Sequence, residues 1–203
     1  MKVALIGESG RVGSRIAAEL LKRGHTVTGI ARNPRKVTPR PGPILREGDA
    51  IQPSTLAPLI TGHDTVVSAS RFQTSDANAL IDDMKRSGVK RLLVVGEARS
   101  LEVAPGKALV DSPGFPDAYK AEATAGVKFL DVLRKERDLD WTFLSPSAEF
   151  APGERTGKFR LGGEQMRVDA KGKRCISTED FAIAFVDELE HPKHSRQRFT
   201  VGY

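Results

Sequence analysis

Val3-Ala4-Leu5-Ile6-Gly7-Glu8-Ser9-Gly10-Arg11-Val12-Gly13 is the stretch from which the rest of the chain can be read. Val3–Ile6 is a continuous apolar run cut off by glycine, the pattern of a strand covered on both faces. Behind it, Arg11–Arg23 carries Val12, Ile16, Ala17, Leu20 and Leu21 at helical spacing, and Gly24 closes the segment. The three glycines therefore occupy a strand-to-helix turn. Such a turn lets backbone approach a pyrophosphate closely, and the helix start aims its free N–H groups at it. The spacing is G-x-x-G-x-x-G rather than G-x-G-x-x-G, weak by itself but strong in this position. Gly7, Ser9, Gly10, Arg11, Val12 and Gly13 are the expected contacts; a tight turn without a ligand is the bland alternative.

The same alternation continues downstream. Thr26–Ala31, Ile44–Arg46, Thr65–Ala69, Arg91–Val95 and Trp141–Ser145 read as further strands. Between them lie a short segment Leu56–Ile60 interrupted by Pro58, a helix capped by Ser75 and ended by Gly88, and a long helix from about Asp117 to Arg137. Ser177-Thr178-Glu179-Asp180 opens a last helix, and Phe199–Val201 adds an edge strand. Strand–helix alternation of this kind implies an α/β chain with parallel βαβ units in a doubly wound sheet. Residues 150–175 are Gly-rich and basic without a helical period. They predict a small irregular lobe, inserted at 147–175, with a hairpin at Gly162-Gly163.

In sheets of this type the end of the second strand, about 20 residues beyond the glycines, distinguishes the two nicotinamide cofactors. A carboxylate there accepts from the ribose 2′-OH and repels a 2′-phosphate. This chain has none: Ile30-Ala31 is followed by Arg32-Asn33-Pro34-Arg35-Lys36. A guanidinium can hold phosphate oxygens through two parallel hydrogen bonds, and Lys36 adds a point charge. Arg32, Asn33, Arg35 and Lys36 are thus expected to favour NADP(H), with NAD(H) as the weaker alternative. A merely solvated basic loop is the competing reading.

The 203 residues suit one domain with a substantial core. Net charge is +6, with +6 in residues 1–50 and +4 in residues 150–175. Two separated basic zones, 6% aromatics and no basic tail argue against a nucleic-acid partner and for small phosphorylated ligands, ordinary solvated surface being the alternative for the second zone. No apolar run approaches the ~18 residues of a membrane span. Six residues precede the first glycine, too few for a signal peptide whose apolar core takes ~7–15 residues. Cys175 is the only cysteine, so no intramolecular disulfide can form. The expectation is a cytoplasmic monomer or homodimer. His191 and His194 form H-x-x-H at a helix end without an evident third ligand, so no metal site is expected.

These residues resemble the atypical short-chain dehydrogenase/reductase group that includes NmrA-like proteins, biliverdin reductase B-like flavin reductases and bacterial NADH-flavin reductase-like proteins. The resemblance runs nearly end to end, on Gly7–Gly13, Ala31–Pro34, Gly48–Ala50, Leu101–Gly106, Asp140–Pro146, Pro152–Gly157 and Ile176–Phe181. It implies a Rossmann-type sheet of strand order 3-2-1-4-5-6 plus an edge strand. It also implies NADPH-dependent hydride transfer to a flavin (FMN or FAD) or a quinone-like planar acceptor, the flavin being substrate rather than bound cofactor. By the same resemblance Asp49 and Ala50 contact the adenine, and Ser68, Ala69 and Ser70 line the nicotinamide ribose. Gly96 and Glu97, with Pro146, Ser147 and Ala148, flank the nicotinamide.

One departure from the family pattern bears on the chemistry. Short-chain dehydrogenases that move a proton to or from a hydroxyl use Tyr-x-x-x-Lys, yet four residues after Tyr119 stands Ala123, and the lysine is Lys120. Adjacent helical residues point about 100° apart, so Lys120 cannot take the missing place. Alcohol–ketone chemistry is disfavoured, whereas flavin reduction asks mainly for positioning. Tyr119 and Ser100 are the candidate catalytic groups: Tyr119 as a pocket wall, Ser100 as a pocket hydroxyl or a plain loop residue. Glu97 and Arg99 either pair or reshape the pocket. Arg155, Lys158 and Arg160 are expected to reach a flavin phosphate. A non-catalytic NADP(H)-binding redox sensor of NmrA type, or a sugar epimerase or dehydratase, are the alternatives.

Overall fold

The computed structural model of the chain describes residues 1–36, 41–111 and 117–203, the side chains of Lys36 and Asp117 excepted. Its strands are β1 (Lys2–Ile6), β2 (Thr26–Ala31), β3 (Ile44–Glu47), β4 (Thr65–Ser68), β5 (Arg91–Val95), β6 (Glu102–Ala104), β7 (Lys107–Ala108), β8 (Asp140–Pro146), β9 (Glu149–Ala151), β10 (Arg160–Gly162), β11 (Cys175–Ser177) and β12 (Gln197–Gly202). The helices are α1 (Arg11–Lys22), α2 (Ala57–Ile60), α3 (Ala77–Ser87), α4 (Lys120–Lys135) and α5 (Thr178–Glu190).

Eight strands form one sheet in the order β10-β12-β8-β5-β4-β1-β2-β3. Its first six strands in sequence thus run 3-2-1-4-5-6, all parallel, with β12 added in parallel beside β8. Alternation along β1 splits the core. Val3 and Leu5 pack with Ile16 and Leu20 of α1 and Phe181 and Phe185 of α5. Ala4 and Ile6 face the other way, toward Ile60 of α2, Leu80 and Met84 of α3, and Phe129 and Leu133 of α4. Full burial of each such side chain contributes about 1.5–3 kcal/mol, which is why both faces of β1 must be apolar. The strand order reverses on either side of β1, so the crevice at the carboxyl ends of β1 and β4 is where ligands of such sheets bind.

Local details differ from expectation at three places. Asp76, not Ser75, caps α3: its Oδ1 accepts from Ala79 N at 2.8 Å, while Ser75 Oγ donates to Arg71 O at 3.0 Å. The helix expected from Asp117 begins as a 3-10 turn over Asp117–Tyr119 and becomes α-helical at Lys120. The hairpin at Gly162-Gly163 does not form. β10 instead pairs antiparallel with β12, Leu161 opposite Val201, and the segment beyond it is taken by β6. There Glu102 N donates to Glu164 O and Met166 N donates to Glu102 O, each at 2.9 Å. β12, expected at the edge, therefore lies one strand inside it. Ser177 caps α5 as its sequence predicts, accepting from Asp180 N at 3.0 Å.

Candidate functional site

Gly7 ends β1 at φ +83°, a left-handed conformation that favours glycine. A Cβ there would also lie 2.8 Å from Ala69 C and 2.9 Å from Ser70 N, so the turn is pressed against the end of β4. A Cβ on Gly13 would overlap Gly7 O outright and stand 2.9 Å from Gly7 C. The first and third glycines thus let β1, β4 and α1 meet. Gly10 is different: its φ of −72° and ψ of 164° suit any residue, and a Cβ would meet only Gly7 O, at 3.2 Å. Gly10 is the N-cap of α1, with no capping side chain and no acidic residue in the first turn. The N–H groups of that turn are left to whatever occupies the space in front of them.

That space is a cavity lined by Ile6, Gly7, Ser9 and Gly10, by Ile30, Ala31 and Arg32 at the end of β2, by Gly48, Asp49 and Ala50 after β3, and by Ala69, Ser70, Arg71 and Thr74 after β4. The predicted residues Gly7, Ser9, Gly10, Arg32, Asp49, Ala50, Ala69 and Ser70 are brought together here. Arg11, Val12 and Gly13 build the helix start behind them, and Ser68 is buried at the tip of β4. Asn33 and Arg35 are exposed beyond Arg32. Lys36 ends the 3-10 turn Pro34–Lys36, and its side chain lies outside the described residues. Arg71 and Thr74 were not legible in the sequence, because they flank and close a 3-10 turn, Phe72–Thr74, that has no periodic signal. Gly48 stands in the sequence block Gly48–Ala50 that carries the resemblance; a Cβ there would meet Leu59 Cδ1 at 2.7 Å and Ile30 Cγ2 at 2.8 Å, so a larger residue would require these side chains to shift.

The residues after β5 and β8 do not line this cavity. Gly96 N donates to Leu144 O at 2.7 Å, binding the end of β5 to β8. The buried Glu97 carboxylate accepts from Arg99 N at 2.5 Å and Ser100 N at 3.1 Å, and from Ser100 Oγ. Ser100 Oγ in turn accepts from Arg198 Nη1 at 2.5 Å. Glu97 therefore holds Arg99 by the Arg99 backbone N–H, and its charge also acts on the nearby guanidinium. The Arg198 side chain is 3% exposed and also pairs with Glu164. Burial pulls its pKa down to about 10, against the pull of Glu97. This chain of contacts holds the loop after β5 to β12, and it uses both the proton and a lone pair of the Ser100 hydroxyl. Ser147 is fully buried with Oγ donating to Val201 O at 3.2 Å, toward β12, whereas Ala148 is exposed.

Tyr119 is 56% exposed at the start of α4, its ring covered by Arg99, whose Cζ lies 4.9 Å from the ring centroid. Position 123, where a partner lysine would stand, is a buried alanine. In the 147–175 segment, Arg155 Nη2 donates to both Glu19 carboxylate oxygens at 2.9 Å. Burial raises the Glu19 pKa, but the hydrogen bonds from Arg155 and Arg23 outweigh it and hold the carboxyl below its usual range. Arg160 donates to Val168 O and, at 2.5 Å, to Tyr203 O. The structure thus commits Arg155 and Arg160 to the protein itself, and leaves Lys158 exposed. His194 is held by Glu188, Nδ1 to Oε2 at 2.8 Å, and stacks on Phe199 at 3.9 Å. No helix among the described residues is long and apolar enough to cross a membrane.

Comparison with known proteins shows the family and the fold. A family profile described as NAD(P)H-binding matches residues 7–192. A protein from Burkholderia pseudomallei, provisionally described as exported, is 47% identical with a TM-score of 0.89 over 100% of both chains. A Bacteroides thetaiotaomicron protein, provisionally named an epimerase, is 41% identical with a TM-score of 0.92 over 100% of this chain and 96% of its own. A Streptococcus pneumoniae protein, provisionally named an NADH-flavin reductase, is 34% identical with a TM-score of 0.82 over 100% of this chain and 99% of its own.

Proposed function

The chain belongs to the NAD(P)H-binding family, and on that premise we propose that it is an NADPH-dependent reductase passing hydride to a flavin or similar planar acceptor. The observation that carries the reading is the cavity itself: an uncapped helix start opens onto it beside Arg32, with no carboxylate at the end of β2. These residues fit the cofactor. Gly7–Gly10 and the first turn of α1 would take the pyrophosphate, Arg32 with Asn33, Arg35 and Lys36 the 2′-phosphate, and Asp49 with Ala50 the adenine. Ser68, Ala69 and Ser70 would reach the nicotinamide ribose, with Gly96–Glu97 and Pro146–Ala148 as the frame beyond. The bound nicotinamide supplies the hydride. The protein's part is to bind, orient and exclude water, since a reduced flavin can draw its proton from solvent.

The absence of a Tyr–Lys pair disfavours the epimerase or dehydratase reading, which needs proton transfer at carbon or oxygen. The same absence keeps a second reading in play, a non-catalytic NADP(H) sensor. NADPH oxidation followed with and without free FMN separates the two. Turnover that requires FMN supports the reductase; binding of NADPH with no turnover on FMN, FAD or quinones supports the sensor. A cytoplasmic setting is part of the proposal, resting on the single cysteine.

A further inference from the structure

Two arginines line the cavity from opposite sides of the glycine loop, Arg32 at the end of β2 and Arg71 just past β4. We propose that Arg71 is a ligand of the cofactor's pyrophosphate, gripping the anionic part that NADPH and NADH share; this rests on the dinucleotide reading above. Ala69 and Ser70 are the residues pressed against Gly7, within 2.9 Å of where its Cβ would be, so Arg71 is the next residue past that contact. From there the chain moves away toward β3, where Asp76 N donates to Ala50 O at 3.3 Å. Arg71 thus sits at the glycine-loop end of this wall and Asp76 at the adenine end.

The base of Arg71 is fixed while its head is open. Glu122, in the first turn of α4, accepts from Phe72 N at 2.7 Å and Gln73 N at 3.2 Å, clamping the 3-10 turn. The Phe72 ring is buried against Phe129 and Phe143, with centroids 5.3 and 5.9 Å away. The Arg71 side chain is 76% exposed, and its ion pair with Glu122 is 4.0 Å long. Charge-assisted hydrogen bonds run about 2.7–2.9 Å, so that pair leaves the guanidinium free to turn toward a stronger anion. A planar fork suits two pyrophosphate oxygens. No acidic residue in the first turn of α1 competes for it.

The test is calorimetric titration of the full chain and of Arg71→Gln, Arg71→Lys and Arg32→Gln with NADPH, NADH, ADP and adenosine. Arg71→Gln is expected to weaken NADPH, NADH and ADP by a common factor of about ten or more, the loss of a charge-assisted bond, and to leave adenosine unchanged. Arg71→Lys should recover part of the loss, and Arg32→Gln should weaken NADPH alone. Binding of both cofactors within about twofold of the parent overturns the proposal. So does an equal loss for adenosine, which assigns Arg71 to the base, or a loss for NADPH alone, which assigns it to the 2′-phosphate. A parent that binds ADP with this Arg71 dependence but neither nicotinamide cofactor sinks the cofactor reading and spares the pyrophosphate ligand. A parent that binds none of the four sinks both.

Discussion

Gly13→Ala and Gly10→Ala perturb the same turn in opposite ways. At Gly13 the new methyl overlaps Gly7 O and comes within 2.9 Å of Gly7 C, both backbone atoms of a turn already pressed on β4. Neither side can give without parting α1 from β1. Overpacking of this kind costs about 1–3 kcal/mol, and the overlap is with main chain, so the upper end applies. Replacing glycine within a helix returns about 1 kcal/mol. The net is about 2 kcal/mol of destabilisation, or a melting point lower by roughly 4–8 °C for a chain of this size. At Gly10 the methyl meets only Gly7 O at 3.2 Å and the backbone conformation is ordinary. Alanine is a poorer N-cap than glycine, a cost of about 0.5–1 kcal/mol. Yet this methyl stands at the helix start, where the pyrophosphate must come. Gly10→Ala should therefore melt within about 4 °C of the parent while losing at least about tenfold in NADPH affinity. Differential scanning calorimetry and NADPH titration on both variants decide it. A Gly13→Ala protein as stable as the parent, or a Gly10→Ala protein that binds NADPH undiminished, refutes this division of labour among the glycines.

Three further outcomes are expected. Arg32→Ala should cost about tenfold in NADPH affinity and leave NADH little changed, read by fluorescence titration; an equal loss for both removes Arg32 from the 2′-phosphate. Tyr119→Phe should lower NADPH-dependent FMN reduction less than about tenfold, because a lost general acid costs 10²–10⁴-fold and Tyr119 is an exposed ring under Arg99; a larger loss restores proton transfer to the mechanism. Arg155→Ala should lower the melting point by a few degrees rather than raise the KM for FMN, since Arg155 is bonded to Glu19. The Glu19 carboxyl is held below its usual range in the folded chain, so this ion-pair stability is present above the unfolded carboxylate pKa and lost as pH falls through the folded value. The stability gap between parent and variant should then close in acid; a gap that persists there means the loss is packing.

How far the sequence could be read depended on how local the determinants were. Val3–Ile6, the helical spacing behind it and the glycine turn set β1, α1 and the cavity floor, because each is fixed by neighbours within a dozen residues. Ser177 and Gly88 marked helix ends for the same reason. What escaped was set by distant partners. The pairing of β10 with β12 joins residues some forty apart, and Gly162-Gly163 offered a nearer but wrong solution. Arg155 has its partner Glu19 far away in the chain; just as remote from Ser100 is Arg198, which takes the lone pair that the nearby Glu97 leaves on Ser100 Oγ. Arg71 has no local signature because its neighbour in space, the glycine loop Gly7–Gly10, lies about sixty residues before it in the chain.

Direct titration of the parent chain with NADPH and with NADH tests the central claim, that this cavity holds a nicotinamide dinucleotide and selects it by charge. With Arg32 at the end of β2 and no carboxylate there, NADPH is predicted to bind at least about tenfold tighter, a difference of about 1.4 kcal/mol or more. Equal affinities, or tighter NADH binding, would contradict the account.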